Sequence, residues 1–120
     1  MRMELTPIGK VCQVTQDTSV LEIEPDLTEG LEDVKAGDRL QVLYWMHELP
    51  ETSRGILKVH PRGDKSRPLT GVFSVRSPMR PNPIGVTVVT VARKEGNQIW
   101  IEGLDAIVGS PVIDIKGSPK

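Results

Sequence analysis

The sequence predicts an all-β fold, a closed or nearly closed β-barrel of six to eight short strands with at most a minor helix. Three observations carry that expectation. Val, Ile and Thr number 14, 9 and 8 against three Ala, a balance that suits pleated, half-buried surfaces better than helices. Eleven Gly and ten Pro in 120 residues punctuate the chain as a many-turned β domain requires. Short apolar segments also recur along the whole length without an internal repeat or linker, and closing the sheet removes edges that would otherwise stay unpaired. A chain of this length corresponds to one domain, residues 1–120.

Each element has its own signal. From Pro7 to Thr15, Ile8, Cys12 and Val14 share one parity and read as a first strand. Ser19 to Glu24 alternates Leu21 and Ile23 against Glu22 and Glu24, a half-exposed second strand ended by Pro25. Leu27, Leu31 and Val34 recur at helical spacing, enough for one or two turns. After the Ala36-Gly37-Asp38 turn, Leu40 to His47 is almost unbroken in its apolar character and reads as a central strand buried on both faces. That placement would make His47 a core histidine. Short strands follow at Ile56–His60 and Thr70–Arg76, with a basic turn-forming segment between them. The clearest hairpin is Ile84–Lys94 and Gln98–Gly103 around Glu95-Gly96-Asn97. Val112 to Lys116 is the last strand.

Several function classes are excluded or disfavoured. No apolar run approaches the roughly 18 residues of a membrane-spanning helix, and the first residues lack the apolar stretch of a signal peptide. A single cysteine, Cys12, forms no internal disulfide, so the cytoplasm is the expected compartment. Two histidines without a CxxC or HExxH spacing do not close a metal site. There is no GxGxxG or P-loop, so a nucleotide cofactor would need another architecture.

The formal charge of −1 conceals segregation. Residues 1–50 carry four basic and ten acidic side chains, residues 51–94 nine and two, and the remainder two and four. A basic middle third is either a solvated face or an anion-binding surface. With only Tyr44, Trp45, Phe73 and Trp100 aromatic, a base-stacking platform is disfavoured. The loop His60, Arg62, Lys65 and Arg67 could track a nucleic-acid backbone or remain flexible and solvated.

Arg76-Ser-Pro-Met-Arg-Pro-Asn-Pro-Ile-Gly85 stands apart from ordinary connecting sequence. Its three prolines fix φ and bias Ser77, Arg80 and Asn82 toward extended backbone. The expectation is a stiff, polyproline-like loop holding Arg76, Arg80 and Asn82 outward, with little entropy left to lose on binding. A rigid barrel corner is the alternative.

Gly71 to Gly85 resembles the signature of the TsaA/TrmO family of S-adenosylmethionine-dependent tRNA methyltransferases. Pro7-Ile-Gly-Lys-Val11, Leu43–Glu48 and Gly103–Lys116 resemble three further family segments in the same order and spacing. The resemblance implies a homodimeric β-barrel methyltransferase with S-adenosyl-L-methionine bound near the subunit interface. It also implies tRNA as partner, methylated on N6 of threonylcarbamoyladenosine beside the anticodon, and no membrane or metal. Carried onto this chain, the cofactor contacts fall on His47, Glu48, Arg76, Val86, Gly109, Ser110, Pro111 and Val112. Arg80, Asn82, Asp105 and Asp114 sit in matching signature positions and take supporting or substrate-facing roles, whereas Arg62 and Lys65 are substrate-binding candidates through the charge of their loop. Three features depart from the family pattern. No Pro-Arg-Gln element follows the first strand, Val108 stands where Asp is usual, and Gly117 replaces a Pro.

Methyl transfer from sulfonium to nitrogen is a direct displacement, so positioning dominates. A urea-like N6–H needs a proton acceptor, for which Asp105 and Asp114 are the candidates and His47 a weaker one. Local side-chain capping would explain either aspartate equally well. Cys12 needs no nucleophilic role and reads as a buried small hydrophobe. Two alternatives remain: a methyltransferase of this fold with another substrate, and a non-catalytic cofactor- or RNA-binding module.

Overall fold

In a computed structural model, which describes residues 1–119, the order of strands is β1 (Gly9–Thr15), β2 (Thr18–Ile23), β3 (Arg39–Trp45), β4 (Lys58–Val59), β5 (Thr70–Gly71), β6 (Ile84–Glu95), β7 (Gln98–Glu102) and β8 (Pro111–Gly117). Six of them close into a barrel in the order β1-β2-β7-β6-β3-β8, while β4 and β5 pair separately. Helical structure among the described residues is limited to short 3-10 segments. The all-β barrel read from the sequence is therefore the architecture observed. The chain divides into two compact units, Met1–Trp45 with Val86–Lys120 and Met46–Gly85.

The barrel unit is built on aliphatic side chains. Val11, Leu21, Val42, Ile99, Ile101 and Val112 are fully buried, with Val89 and Val91 nearly so. Tyr44 is the one aromatic residue in this core, and its hydroxyl donates to the carbonyl oxygen of Asp105 at 2.5 Å, as a buried phenol requires. The hairpin turn at Gly96 holds φ 58°, and Glu95 faces Gln98 across it.

Closure is narrow. β1 meets β8 only through Gly9 opposite Val112 and Lys10 opposite Pro111. Backbone bonds from Ile8 to Val112 (2.8 Å), from Val11 to Ser110 (3.0 Å) and from Gly109 to Val11 (2.7 Å) extend this seam. At Gly9 a Cβ would fall 2.3 Å from the Glu22 carbonyl oxygen, so only glycine fits.

Bulges interrupt the register in three strands among the described pairings. One extra residue sits in β1 at Cys12, in β6 at Ala92 and in β8 at Ile113. The parity expected for the first strand is off by one already ahead of the bulge at Cys12. Gly9 and Val11 point inward, Cys12 is half-buried and Val14 is 39% exposed. Extra residues bend a strand and raise its twist, which alternation of residue types does not display.

β3 departs from expectation too. Leu40, Val42 and Tyr44 are buried, whereas Gln41, Leu43 and Trp45 are half-buried, because a barrel strand has one inner and one outer face. The strand stops at Trp45, so His47 lies beyond it in an exposed turn and is not a core histidine. The helical spacing at Leu27 to Val34 yields a 3-10 segment, Pro25–Leu31, that buries Leu31 and leaves Leu27 exposed.

In the Met46–Gly85 unit, Lys58 pairs with Gly71 and Val59 with Thr70. The strands expected at Ile56–His60 and Thr70–Arg76 thus shrink to two residues each. Pro61 has no N–H to continue the ladder, and a 3-10 turn over Val72–Ser74 ends the second strand. Val72, 1% exposed, anchors this unit's interior.

Candidate functional site

The basic loop is ordered. Its carbonyls and amides close successive turns, Gly63 to His60 at 2.9 Å, Asp64 to Pro61 at 3.1 Å and Arg67 to Asp64 at 3.0 Å. Asp64 Oδ1 accepts from the Ser66 amide and hydroxyl at 2.9 and 2.6 Å. Those bonds, the hydroxyl's first, hold the Asp64 carboxyl below its ordinary pKa. His60 Nδ1 lies 2.7 Å from the Arg67 carbonyl oxygen, which places the proton on Nδ1 and ties the two ends together. Arg62 adopts φ 57° and Gly63 φ 70°. A left-handed non-glycine residue is held there by its neighbours at some cost in energy.

This loop forms one side of a cavity of about 870 Å³ in the Met46–Gly85 unit. Six basic side chains line it: Lys58, His60, Arg62, Lys65, Arg67 and Arg76. The rest of the lining is largely apolar, with Ile56, Val59, Leu69, Val75 and Met79. Arg67 is paired with Asp64 at 3.7 Å, whereas Lys58, Arg62 and Lys65 form no ion pair among the described residues. The sequence joined Lys58 to Arg62, Lys65 and Arg76 only as members of the basic middle third and gave no reason to set aliphatic neighbours beside them.

The proline-rich loop is stiff, though not through extension alone. The Arg80 guanidinium donates to the carbonyls of Ser77 (2.7 Å), Val72 (3.2 Å) and Val75 (3.4 Å). It is half-buried rather than held outward. Arg54, which sequence reasoning passed over, donates through Nε to the Pro81 carbonyl at 2.6 Å and through Nη2 to Asn82 Oδ1 at 3.3 Å. The Pro81 carbonyl is thus satisfied by an arginine, whereas that of Pro83 accepts from the Met46 amide at 2.8 Å. Sequence carries no signal that tells such an arginine from a solvated one.

The remaining candidates divide between the two units. In Met46–Gly85, exposed His47 places Nε2 3.9 Å from Glu48 Oε1. In the barrel unit, Val86 is exposed near the start of β6. Gly109 takes φ 91° in the turn before β8, where Ser110 and Val112 bury their side chains at 2% and 0% exposure. That turn can therefore offer a ligand the Gly109 backbone and the Pro111 ring, but not the Ser110 or Val112 side chains.

The two candidate bases have unlike surroundings. Asp105 is exposed, and its backbone is fixed by Tyr44. Asp114 is half-buried on β8 opposite Leu43, and its Oδ1 accepts from the Ile115 amide at 2.8 Å. It lines a second cavity, about 730 Å³, together with Asp26 and Glu29. Cys12 donates weakly to the Val20 carbonyl at 3.4 Å, and burial pushes its thiol pKa up, so it is no ready nucleophile. Among the described residues no group of three or more side chains could hold a metal ion, and no helix is long and apolar enough to cross a membrane.

Comparison with known proteins places this geometry in context. The profile of the tRNA-methyltransferase O N-terminal domain matches residues 4–118. A protein of Methanocaldococcus jannaschii named "Probable S-adenosyl-L-methionine-binding protein" is 49% identical over 113 residues, covering 93% of this chain and 89% of its own. A relative of the same description from Pyrococcus horikoshii is 44% identical, covering 100% of this chain and 88% of its own. A crystal structure of TrmO from Pseudomonas aeruginosa superposes with TM-score 0.72 at 26% identity over 99% of this chain, which spans 57% of that protein.

Proposed function

This chain belongs to the tRNA-methyltransferase O N-terminal domain family, and from that premise we propose that it is an S-adenosyl-L-methionine-dependent methyltransferase acting on tRNA. The observation that carries the reading is the near full-length similarity to proteins named for binding S-adenosyl-L-methionine. The acceptor we assign is N6 of threonylcarbamoyladenosine next to the anticodon. The working molecule is a cytoplasmic homodimer with the cofactor near its interface, and residues 1–120 act as one functional domain.

The donor set suits the cofactor chemically. The Arg76 guanidinium matches a carboxylate, Glu48 and His47 can hydrogen-bond ribose hydroxyls, and Gly109 and Pro111 present backbone and an apolar edge. Val86 adds an apolar contact, while Ser110 and Val112 act by fixing the turn. When bound, S-adenosyl-L-methionine supplies an electrophilic methyl group. The protein's part is to hold an N6 nitrogen in line with that methyl, at about 3–3.5 Å, and to accept the N6 proton. Asp105 through its exposed carboxylate, or Asp114 through Oδ2, is the acceptor we assign. Arg62 and Lys65 bind the RNA backbone, while Arg80 and Asn82 shape the loop that faces the substrate.

A second reading, a cofactor-binding module without transfer, is favoured by one feature. β1 passes to β2 through Gln16 and Asp17 alone, where the family resemblance would place a Pro-Arg-Gln element. Calorimetric titration with S-adenosylhomocysteine, followed by mass analysis of tRNA nucleosides after incubation with S-adenosyl-L-methionine, separates the readings. Saturable binding and a mass gain of one methyl group on the nucleoside support the enzyme. Binding without the mass gain supports the module, and no binding removes both.

A further inference from the structure

We infer that Asn82 donates hydrogen bonds to the substrate, that Arg54 holds its carboxamide in the donating orientation, and that the group it reads is a carbonyl or carboxylate oxygen carried on N6. This role rests on the methyltransferase assignment for the RNA that supplies the oxygen.

The orientation follows from what a guanidinium can do. Arg54 donates through Nη2 to Asn82 Oδ1 at 3.3 Å and through Nε to the Pro81 carbonyl at 2.6 Å. Its Nη1 lies 3.5 Å from Glu51 Oε2. An arginine has N–H donors and no acceptor, so the carboxamide atom that faces it is the oxygen. The opposite placement would set one NH₂ group against another. Nδ2 is thereby turned away from Arg54, and it makes no hydrogen bond among the described residues.

The support beneath Asn82 is rigid. Three successive carbonyls are engaged: Pro81 by Arg54, Asn82 by the Ile84 amide at 2.7 Å and Pro83 by the Met46 amide at 2.8 Å. Pro83 is buried and keeps the residue before it extended. Asn82 itself is exposed, so its two Nδ2 hydrogens face solvent from a backbone with little ordering left to lose on binding. Every nitrogen of the Arg54 guanidinium is engaged within the protein, which makes Arg54 a positioning residue and Asn82 the one that touches substrate.

Two open donors beside a spent acceptor select an oxygen lone pair. A threonylcarbamoyl group offers a urea carbonyl and a carboxylate, and an unmodified adenosine offers neither at N6. A site built to hydrogen-bond a group rejects the analogue that lacks it. Asn82 therefore separates modified from unmodified RNA before any methyl group moves.

The test is filter binding of the full chain to two anticodon stem-loop RNAs, with thermal melting to check each variant's fold. The RNAs are alike except that one carries threonylcarbamoyl on N6 of the adenosine beside the anticodon. The wild type should bind the modified RNA about tenfold more tightly, the worth of a hydrogen bond the other cannot make. Asn82→Asp keeps an oxygen for Arg54 and removes both donors, so the melting temperature should hold while the preference is lost. The Arg54 side chain is 40% exposed, so lysine fits there, but its single nitrogen cannot reproduce the two-point hold on Pro81 and Asn82. Arg54→Lys should cut the preference several-fold and leave the unmodified RNA bound as before. Equal binding of the two RNAs by the wild type, or a preference that survives Asn82→Asp, would overturn the donor assignment. Equal weakening of both RNAs by Arg54→Lys would overturn the positioning role, because an arginine that only supports the loop acts on both. A preference without methyl transfer from S-adenosyl-L-methionine counts against the methyltransferase and leaves the Asn82 assignment standing. Methyl transfer without a preference does the reverse.

Discussion

At the scale of the residue, the informative side chains are those committed to backbone carbonyls. Arg80 sits in the motif most suggestive of binding, yet its guanidinium is directed at Val72, Val75 and Ser77. Arg80→Ala should lower stability by about 1–3 kcal/mol, the usual worth of charge-assisted hydrogen bonds, as read by urea denaturation. Loss of RNA binding with stability unchanged would instead give it a direct contact. Asp64 makes a pH prediction. Its folded-state carboxyl is held below the ordinary value by Ser66, so the stabilisation is present above the unfolded pKa and lost as pH falls through the folded one. Amide protection at Ser66 should persist at pH 5 and decline below about pH 3.9, the ordinary aspartate value. Protection independent of pH across that window would contradict the assignment. Asp105→Asn and Asp114→Asn, made separately, should show which aspartate takes the proton. Loss of most turnover in one, with S-adenosylhomocysteine still bound, identifies it, and full activity in both removes the acid–base role.

Among the elements, the seam between β1 and β8 is the most demanding. It joins strands far apart in sequence through two paired positions, and Gly9 must let the Glu22 carbonyl approach. Gly9→Ala should destabilise the protein by about 1–3 kcal/mol, the range for overpacked sites. A chemical melt within error of the wild type would mean the seam can shift. The β6–β7 hairpin was legible in the sequence because alternating strands and Gly96 lie within one local window. The strands expected around residues 56–60 and 70–76 span only two residues each, since β-branched composition says nothing about whether a partner strand lies alongside. Bulges at Cys12, Ala92 and Ile113 were illegible for a related reason: each exists to fit a neighbouring strand.

For the whole molecule, charge follows architecture. The Met46–Gly85 unit carries seven Lys and Arg against three Asp and Glu, a balance of +4, and the barrel unit carries −5. If RNA is held by Lys58, Arg62 and Lys65, the logarithm of affinity should fall with the logarithm of salt at a slope of about −2, taking roughly −0.7 per phosphate contact on a single strand. Arg62→Glu with Lys65→Glu should weaken tRNA binding and bring that slope close to −1 or flatter. Filter binding across a salt series reads both quantities, and an unchanged slope would leave the loop without a part in RNA binding.

The sequence by itself determined the barrel class, the hairpin, the family and the basic character of the middle third. All of these depend on composition, on neighbours within a few residues, or on a motif read in order. Tertiary structure alone decided which parity faces inward, that His47 leaves the core strand, that Arg80 and Arg54 hold the proline-rich loop, and that Lys58, Arg62 and Lys65 share a cavity with exposed aliphatic residues. The reason is that burial and hydrogen bonding are settled between segments distant in the chain. An arginine satisfying a buried carbonyl and an arginine awaiting a phosphate are the same letter until the backbone around them is folded.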